Sequence, residues 1–245
     1  MTNGINFKID GIDLTVDEGT TILTAARKAN IQIPTLCYHE DLCVAGNCRV
    51  CVVEQKGSKH LVPSCAMPVS EGMEIFTNTG KVRLARKHIV ELLLSEHNAD
   101  CTKCYKNGNC ELQYLASEML TGEPMLIDLV SEKNYSIDKH NKAIIKDDSR
   151  CIRCQRCVRT CEELQSVSAL DVAYRGKHMK ISTFFEHPLF EVVCTNCGQC
   201  VNRCPTGALI ERNYIDKVWD AIYDTTKHVV VQTAPAVSVA LGEAL

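Results

Sequence analysis

Short alternations of apolar and polar residues open the chain. Ile5-Asn6-Phe7-Lys8-Ile9 and Ile12-Asp13-Leu14-Thr15-Val16 carry apolar side chains at every second position, a period that predicts two half-buried strands. Asp10-Gly11 between them reads as a tight hairpin turn. Thr20 or Thr21 then caps a short helix from Ile22 to Ala29, which stops near Asn30 and before Pro34. Val50, Val52, Val53 and the stretch Met73 to Phe76 supply later strands. Strand, strand, helix and then a cysteine-bearing loop is the opening of a β-grasp fold, expected over residues 1–78.

From Val82 to His97 the period changes. Leu84, Ile89, Leu92 and Leu93 recur at helical spacing, interleaved with Arg83, Arg86, Lys87 and Glu91. This predicts an amphipathic helix whose basic first half is a solvated face, within a small helical domain over 79–120. Residues 121–148 form a polar connector with Gly122, Pro124 and several lysines. Residues 149–213 make a third domain. A terminal segment, 214–245, follows, with a helix-prone stretch from Tyr214 to Tyr223 and an apolar tail from Val229 to Leu245. The fold class is α+β, in three small domains.

Composition narrows the function. Hydrophobic residues make up 45% and charged residues 23% of the 245, as in ordinary globular chains. A formal charge of -3 gives no reason to expect nucleic acid or an anionic membrane as partner. The polar start lacks the apolar run of a signal peptide, and no stretch reaches the roughly 18 apolar residues of a membrane span. Sixteen cysteines in such a chain point to a cytoplasmic, reducing location where clustered thiols hold metal. No G-x-G-x-x-G follows a strand, and no Ser-His-Asp or paired-carboxylate arrangement is legible, so no catalytic residue is assigned.

The cysteines fall into three groups, 37–65, 101–110 and 151–204. In the last, Cys151-x2-Cys154-x2-Cys157-x3-Cys161 recurs as Cys194-x2-Cys197-x2-Cys200-x3-Cys204, a duplication that suggests two half-units about a pseudo-twofold axis. In two-cluster ferredoxins the fourth cysteine of each run ligates the other cluster. One [4Fe–4S] cluster should therefore take Cys151, Cys154, Cys157 and Cys204, and the other Cys194, Cys197, Cys200 and Cys161. Zinc is the competing reading of paired CxxC units, but zinc takes its four thiolates as two pairs, and two copies of a triad plus one do not divide that way. The first group fits a [2Fe–2S] centre in two registers. Cys43-x4-Cys48-x2-Cys51 and Cys37-x10-Cys48-x2-Cys51 share Cys48, Cys51 and the remote Cys65, and differ in the first ligand. The middle group, His97-x3-Cys101-x2-Cys104-x5-Cys110, admits either a histidine ligand or a helix-capping histidine beside three cysteines. An imidazole in place of a thiolate would raise the potential of a third [4Fe–4S] cluster.

The stretches CYHEDLCVAGNCRVCVVE (37–54), SCAMPV (64–69), HNADCTKCYKNGNC (97–110), RCIRCQRCVRTCEE (150–163) and CTNCGQCVNRCPTGAL (194–209) together resemble a known module. It is the N-terminal part of the large iron–sulfur subunit of respiratory complex I and of NADH-linked, electron-bifurcating [FeFe]-hydrogenases. The resemblance implies Cys37 as first [2Fe–2S] ligand, which leaves Cys43 idle, and His97 as a cluster ligand. It implies one [2Fe–2S] and three [4Fe–4S] clusters that pass single electrons. The implied partners are a flavin- and NAD-binding subunit, a small [2Fe–2S] subunit, and ferredoxin or a terminal catalytic domain. The full cubane pair and the segment HVVVQTAPAVSVALGEAL (228–245), similar to the start of a hydrogenase catalytic domain, lean toward the hydrogenase branch. A front fragment of such a hydrogenase, or the corresponding subunit of a formate dehydrogenase or NADH/NADP transhydrogenase, are the alternatives.

Overall fold

The structure is a computed structural model that describes residues 4–120 and 135–244. The first half of the expected connector, 121–134, lies outside the described residues, as do residues 1–3 and Leu245. The chain divides into one unit through Glu211 and a second from Arg212.

β1 (Ile5–Ile9) and β2 (Ile12–Val16) pair antiparallel around a turn in which Asp10 and Gly11 both take positive φ. That conformation suits the right-handed twist of the strands and is cheap at Gly. α1 (Ile22–Lys28) is capped by Thr21, whose hydroxyl accepts from Thr24 N–H, and it ends where Asn30 turns left-handed. β3 (Val52–Gln55), β4 (Leu61–Pro63) and β5 (Glu74–Phe76) complete a five-stranded sheet in the order β2-β1-β5-β3-β4, with β1 and β5 parallel. Phe7, Ile9, Ile22, Leu23, Val53 and Ile75 close its core. Burying each such side chain contributes about 1.5–3 kcal/mol.

α2 (Gly80–Ser95) starts at Thr79, which accepts from Val82 N–H and donates to Glu54. Its inner face differs from the one the sequence predicts. The buried positions are Val82, Arg86, Val90 and Glu91, whereas Leu84 and Leu92 are exposed. Apolar residues occupy more than one side of this helix, so periodicity alone misassigns its inner face. Arg86 is therefore no solvated cation. It is buried and donates to the Val52 carbonyl of β3 at 2.8 Å, because helix and sheet pack on that face. α3 (Glu111–Met119) packs on α2 with Leu112 and Leu115 buried.

The third part of the unit holds a sheet of order β10-β7-β6 made of β6 (Ile137–Asp138), β7 (Ile144–Asp147) and β10 (Leu209–Glu211), and a hairpin of β8 (Asp171–Ala173) and β9 (Lys180–Ser182). β6 and β7 fall in the segment read as connector. Two four-residue helices, α4 (Arg156–Arg159) and α5 (Gln199–Asn202), are in mutual contact, and α5 also touches β10. In the second unit, α6 (Ile215–Tyr223) stacks Trp219 on Tyr223, and α7 spans Pro235–Ala244. No helix among the described residues is long and apolar enough to cross a membrane.

Candidate metal centres

All sixteen cysteines are free thiols although they stand in dense groups. The loops that carry them share a backbone device. Within Cys48-x2-Cys51, Arg49 is left-handed; within the first triad, Arg153 and Gln155 are; within the second, their counterparts Asn196 and Gly198 are. Left-handed positions within a short loop turn successive side chains and amides toward a common centre. The two triads thus repeat in backbone as well as in sequence, and the repeat survives despite the strain of a non-glycine left-handed residue.

Two enclosed apolar cavities lie on either side of this repeat. Cys151, Cys154, Cys157 and Cys204 line the first, together with Ile152, Ile181 and Leu209. Cys161, Cys194, Cys197 and Cys200 line the second, together with Ile144, Leu170 and Leu189. Each triad shares its cavity with the fourth cysteine of the other half, because α4 and α5 run past each other. Burial pushes the thiols up, Cys151 to about 11, Cys154 to about 12 and Cys200 to about 12, with Cys157 well above its ordinary value. Thiols held neutral in an apolar pocket ionise when a cation enters. The amides of Arg153 and Ala169 donate to the Cys151 and Cys161 sulfurs. This donor set fits an iron–sulfur cluster.

In the β-grasp region Cys37, Cys51 and Cys65 are buried and Cys48 is half-buried. Cys37 N–H donates to the Cys48 sulfur at 3.4 Å, and the Cys51 and Cys65 sulfurs lie 3.3 Å apart. The side-chain contact within each thiol pair holds Cys37 and Cys51 low and pushes Cys48 and Cys65 up. Cys43 is exposed and turned away from this group. Its N–H and its thiol both donate to the Glu163 carboxylate, at 2.8 and 2.6 Å. Cys43→Ser keeps a donor for Glu163, so the [2Fe–2S] signal is expected unchanged in the EPR spectrum; its loss would make Cys43 a ligand.

His97 stands two residues beyond the end of α2. It is half-buried, and its Nδ1 is buried without a hydrogen-bond partner. Burial, aided by the Arg150 charge, lowers its pKa to about 4, so the ring is neutral and has a free lone pair. Cys101, Cys104 and Cys110 are half-buried on the following loop, which turns at Gly108 (φ +78°). Cys110 precedes the N-terminus of α3, and burial pushes its thiol up, although the Leu112 and Gln113 amides that bond to its sulfur act in the opposite sense. The loop is docked onto the repeat. Asn98 N–H donates to Ser149 O and Glu111 N–H to Pro205 O, and Arg156 forks onto the Glu111 carboxylate at 2.6 and 2.8 Å. A β-carbon placed on Gly207 would lie 2.6 Å from the Cys104 sulfur.

Gly207, Arg150, Arg156, Arg159 and Glu163 are the residues sequence reasoning passes over. Each acts through a contact distant along the chain, and no local spacing announces it.

Three family descriptions match in succession: a 2Fe-2S iron–sulfur cluster binding domain over residues 2–80, the NADH-ubiquinone oxidoreductase-G iron–sulfur binding region over 86–123, and the ferredoxin-like domain of NADH-quinone oxidoreductase subunit 3 over 141–210. The NADP-reducing hydrogenase subunit HndD of Solidesulfovibrio fructosivorans is 46% identical over 98% of this chain and 42% of its own length. An NADH-quinone oxidoreductase subunit of Rickettsia bellii is 39% identical over 87% of this chain and 30% of its own. The chain thus spans less than half the length of these curated relatives. Among solved structures, the crystal structure of an NAD+-reducing [NiFe]-hydrogenase in the H2-reduced state matches with a TM-score of 0.75 and 29% identity, covering 85% of this chain and 87% of that one.

Proposed function

We propose that the chain, which three iron–sulfur family descriptions match in succession, relays single electrons between a flavin- and NAD-binding partner subunit and ferredoxin or a terminal catalytic domain. The complex would be an NAD(P)-linked, electron-bifurcating oxidoreductase with a small [2Fe–2S] subunit, located in the cytoplasm. The observation that carries this reading is the pair of apolar cavities, each lined by a cysteine triad and one crossed cysteine.

Cys37, Cys48, Cys51 and Cys65 would hold a [2Fe–2S] cluster. His97, Cys101, Cys104 and Cys110 would hold a [4Fe–4S] cluster. Two further [4Fe–4S] clusters would take Cys151, Cys154, Cys157 and Cys204, and Cys194, Cys197, Cys200 and Cys161. When bound, such clusters supply reversible one-electron redox chemistry. The chain's own residues keep water out with the apolar side chains of both cavities, donate N–H groups to sulfur from Cys37, Arg153 and Ala169, and fix the separation of the modules through Arg156–Glu111 and Asn98–Ser149. A second reading, the front part of a hydrogenase catalytic subunit, draws on the 46% identity to HndD with 42% of that protein covered.

Anaerobic purification with iron and sulfide analysis tests the reading. About 14 iron atoms per chain, with one [2Fe–2S] and three [4Fe–4S] EPR species, are expected, and no NADH oxidation by the chain alone. A colourless zinc protein, or NADH turnover without a partner, would sink it.

A further inference from the structure

Arg159 touches two of the cysteine sets at once. It sits on α4 between Cys157 and Cys161 and is 6% exposed. Nη2 donates to the carbonyl oxygens of Cys37 at 2.6 Å and Cys154 at 3.5 Å, and Nη1 donates to that of Cys43. Its Nε–H is buried without a partner. Glu163 lies close by at the exposed rim, where its carboxylate accepts from Cys43 and is lowered first by that thiol and only weakly by Arg159. The guanidinium is thus withdrawn from water with neutral carbonyls as its bonded partners. Carbonyl dipoles offset the desolvation of a full charge only in part. The missing compensation fits negative charge on both sides, one from the set around Cys37 and one from the set around Cys154.

We propose that Arg159 is an electrostatic positioning residue shared by the [2Fe–2S] site and the Cys151/Cys154/Cys157/Cys204 site, and that its charge raises the reduction potential of both. The proposal rests on the cluster assignment above. Reduction adds one electron and one negative charge to a site, and a fixed cation across a carbonyl from each site stabilises that added charge. It also screens the two sites from each other, so reducing one hinders the other less.

The test is an anaerobic EPR-monitored redox titration of the full chain and of Arg159→Gln and Arg159→Lys, with iron and sulfide counted in each. Absence of [2Fe–2S] and [4Fe–4S] signals from the unsubstituted chain would defeat the cluster assignment before Arg159 is considered. With clusters present, Arg159→Gln is expected to lower the midpoints of the [2Fe–2S] and one [4Fe–4S] centre by tenfold in the reduction equilibrium, about 59 mV for a one-electron couple. Arg159→Lys keeps the charge and should stay near the parent values. The centre of Cys161, Cys194, Cys197 and Cys200 should not move in either. Unchanged midpoints in an Arg159→Gln protein of full iron content overturn the proposal. Should Arg159→Gln not retain iron, Arg159→Lys decides alone: parent midpoints with full clusters support a role for charge, and loss of clusters there too assigns Arg159 to its hydrogen bonds and overturns it.

Discussion

Cys157→Ala is expected to empty one cubane site and to unfold much of the region around it. The Cys157 side chain lies in the core with Val158, Leu170, Val201 and Leu209. Its thiol is held neutral by burial first, and then by the thiolates that would form around it at Cys154, Cys151 and Cys204. Buried thiols held neutral bring no stabilisation of their own; ionised onto iron, Cys151, Cys154, Cys157 and Cys204 would join α4 to the segment leading into β10. A cluster bound here would contribute its binding energy to folding, on the order of 10 kcal/mol for a structural metal site, well above the few kcal/mol a thiol-to-methyl truncation costs by itself. The iron content should fall by about four atoms per chain, and the urea unfolding midpoint of the region should drop with it. A folded Cys157→Ala protein with unchanged iron would show that this cavity holds no cluster.

Gly207→Ala should disable the middle centre while leaving its ligands intact. The added methyl would meet the Cys104 sulfur at 2.6 Å and Arg150 Cδ at 3.4 Å. Neither the glycine nor the arginine can yield easily. Thr206 is bonded to Arg150 O and Ala208 O accepts from Asp147 N–H. The Arg150 side chain is held by Asp147 and by the carbonyls of Asn98 and Asp100. The strain therefore falls on Cys104. Overpacking of this kind costs about 1–3 kcal/mol, and a displaced sulfur removes one of three cysteines from the His97 centre. Iron analysis and EPR should show the other centres intact and this one missing. Full retention of its signal would mean that Cys104 is not a ligand.

The contrast between these two residues shows what is legible in the sequence. Cys157 announces itself, since the x2-x2-x3 spacing is a local property of one loop and its left-handed turns at Arg153 and Gln155. The hairpin at Asp10-Gly11 and the Thr21 cap are readable for the same reason, and α1 ends within one residue of expectation. Gly207 announces nothing, because its neighbour Cys104 is about a hundred positions away. α2 lies between these cases: its helical period is local and legible, but which face is inner depends on β3 and α3, so periodicity alone leaves Arg86 in solvent. The strands β6 and β7 are too short for periodicity and exist because β10 pairs with β7.

The crossing of cysteines between the two cavities constrains how such a chain is made. Cys151, Cys154 and Cys157 leave the ribosome first, and the fourth wall of their cavity, Cys204, follows roughly 50 residues later. At about 5–20 residues per second, three uncapped thiols wait several seconds for their partner, while the second cavity has its early member, Cys161, long before its triad. Neither chamber can close before the other is nearly complete. Filling of the pair with clusters would thus be a single late event of biogenesis.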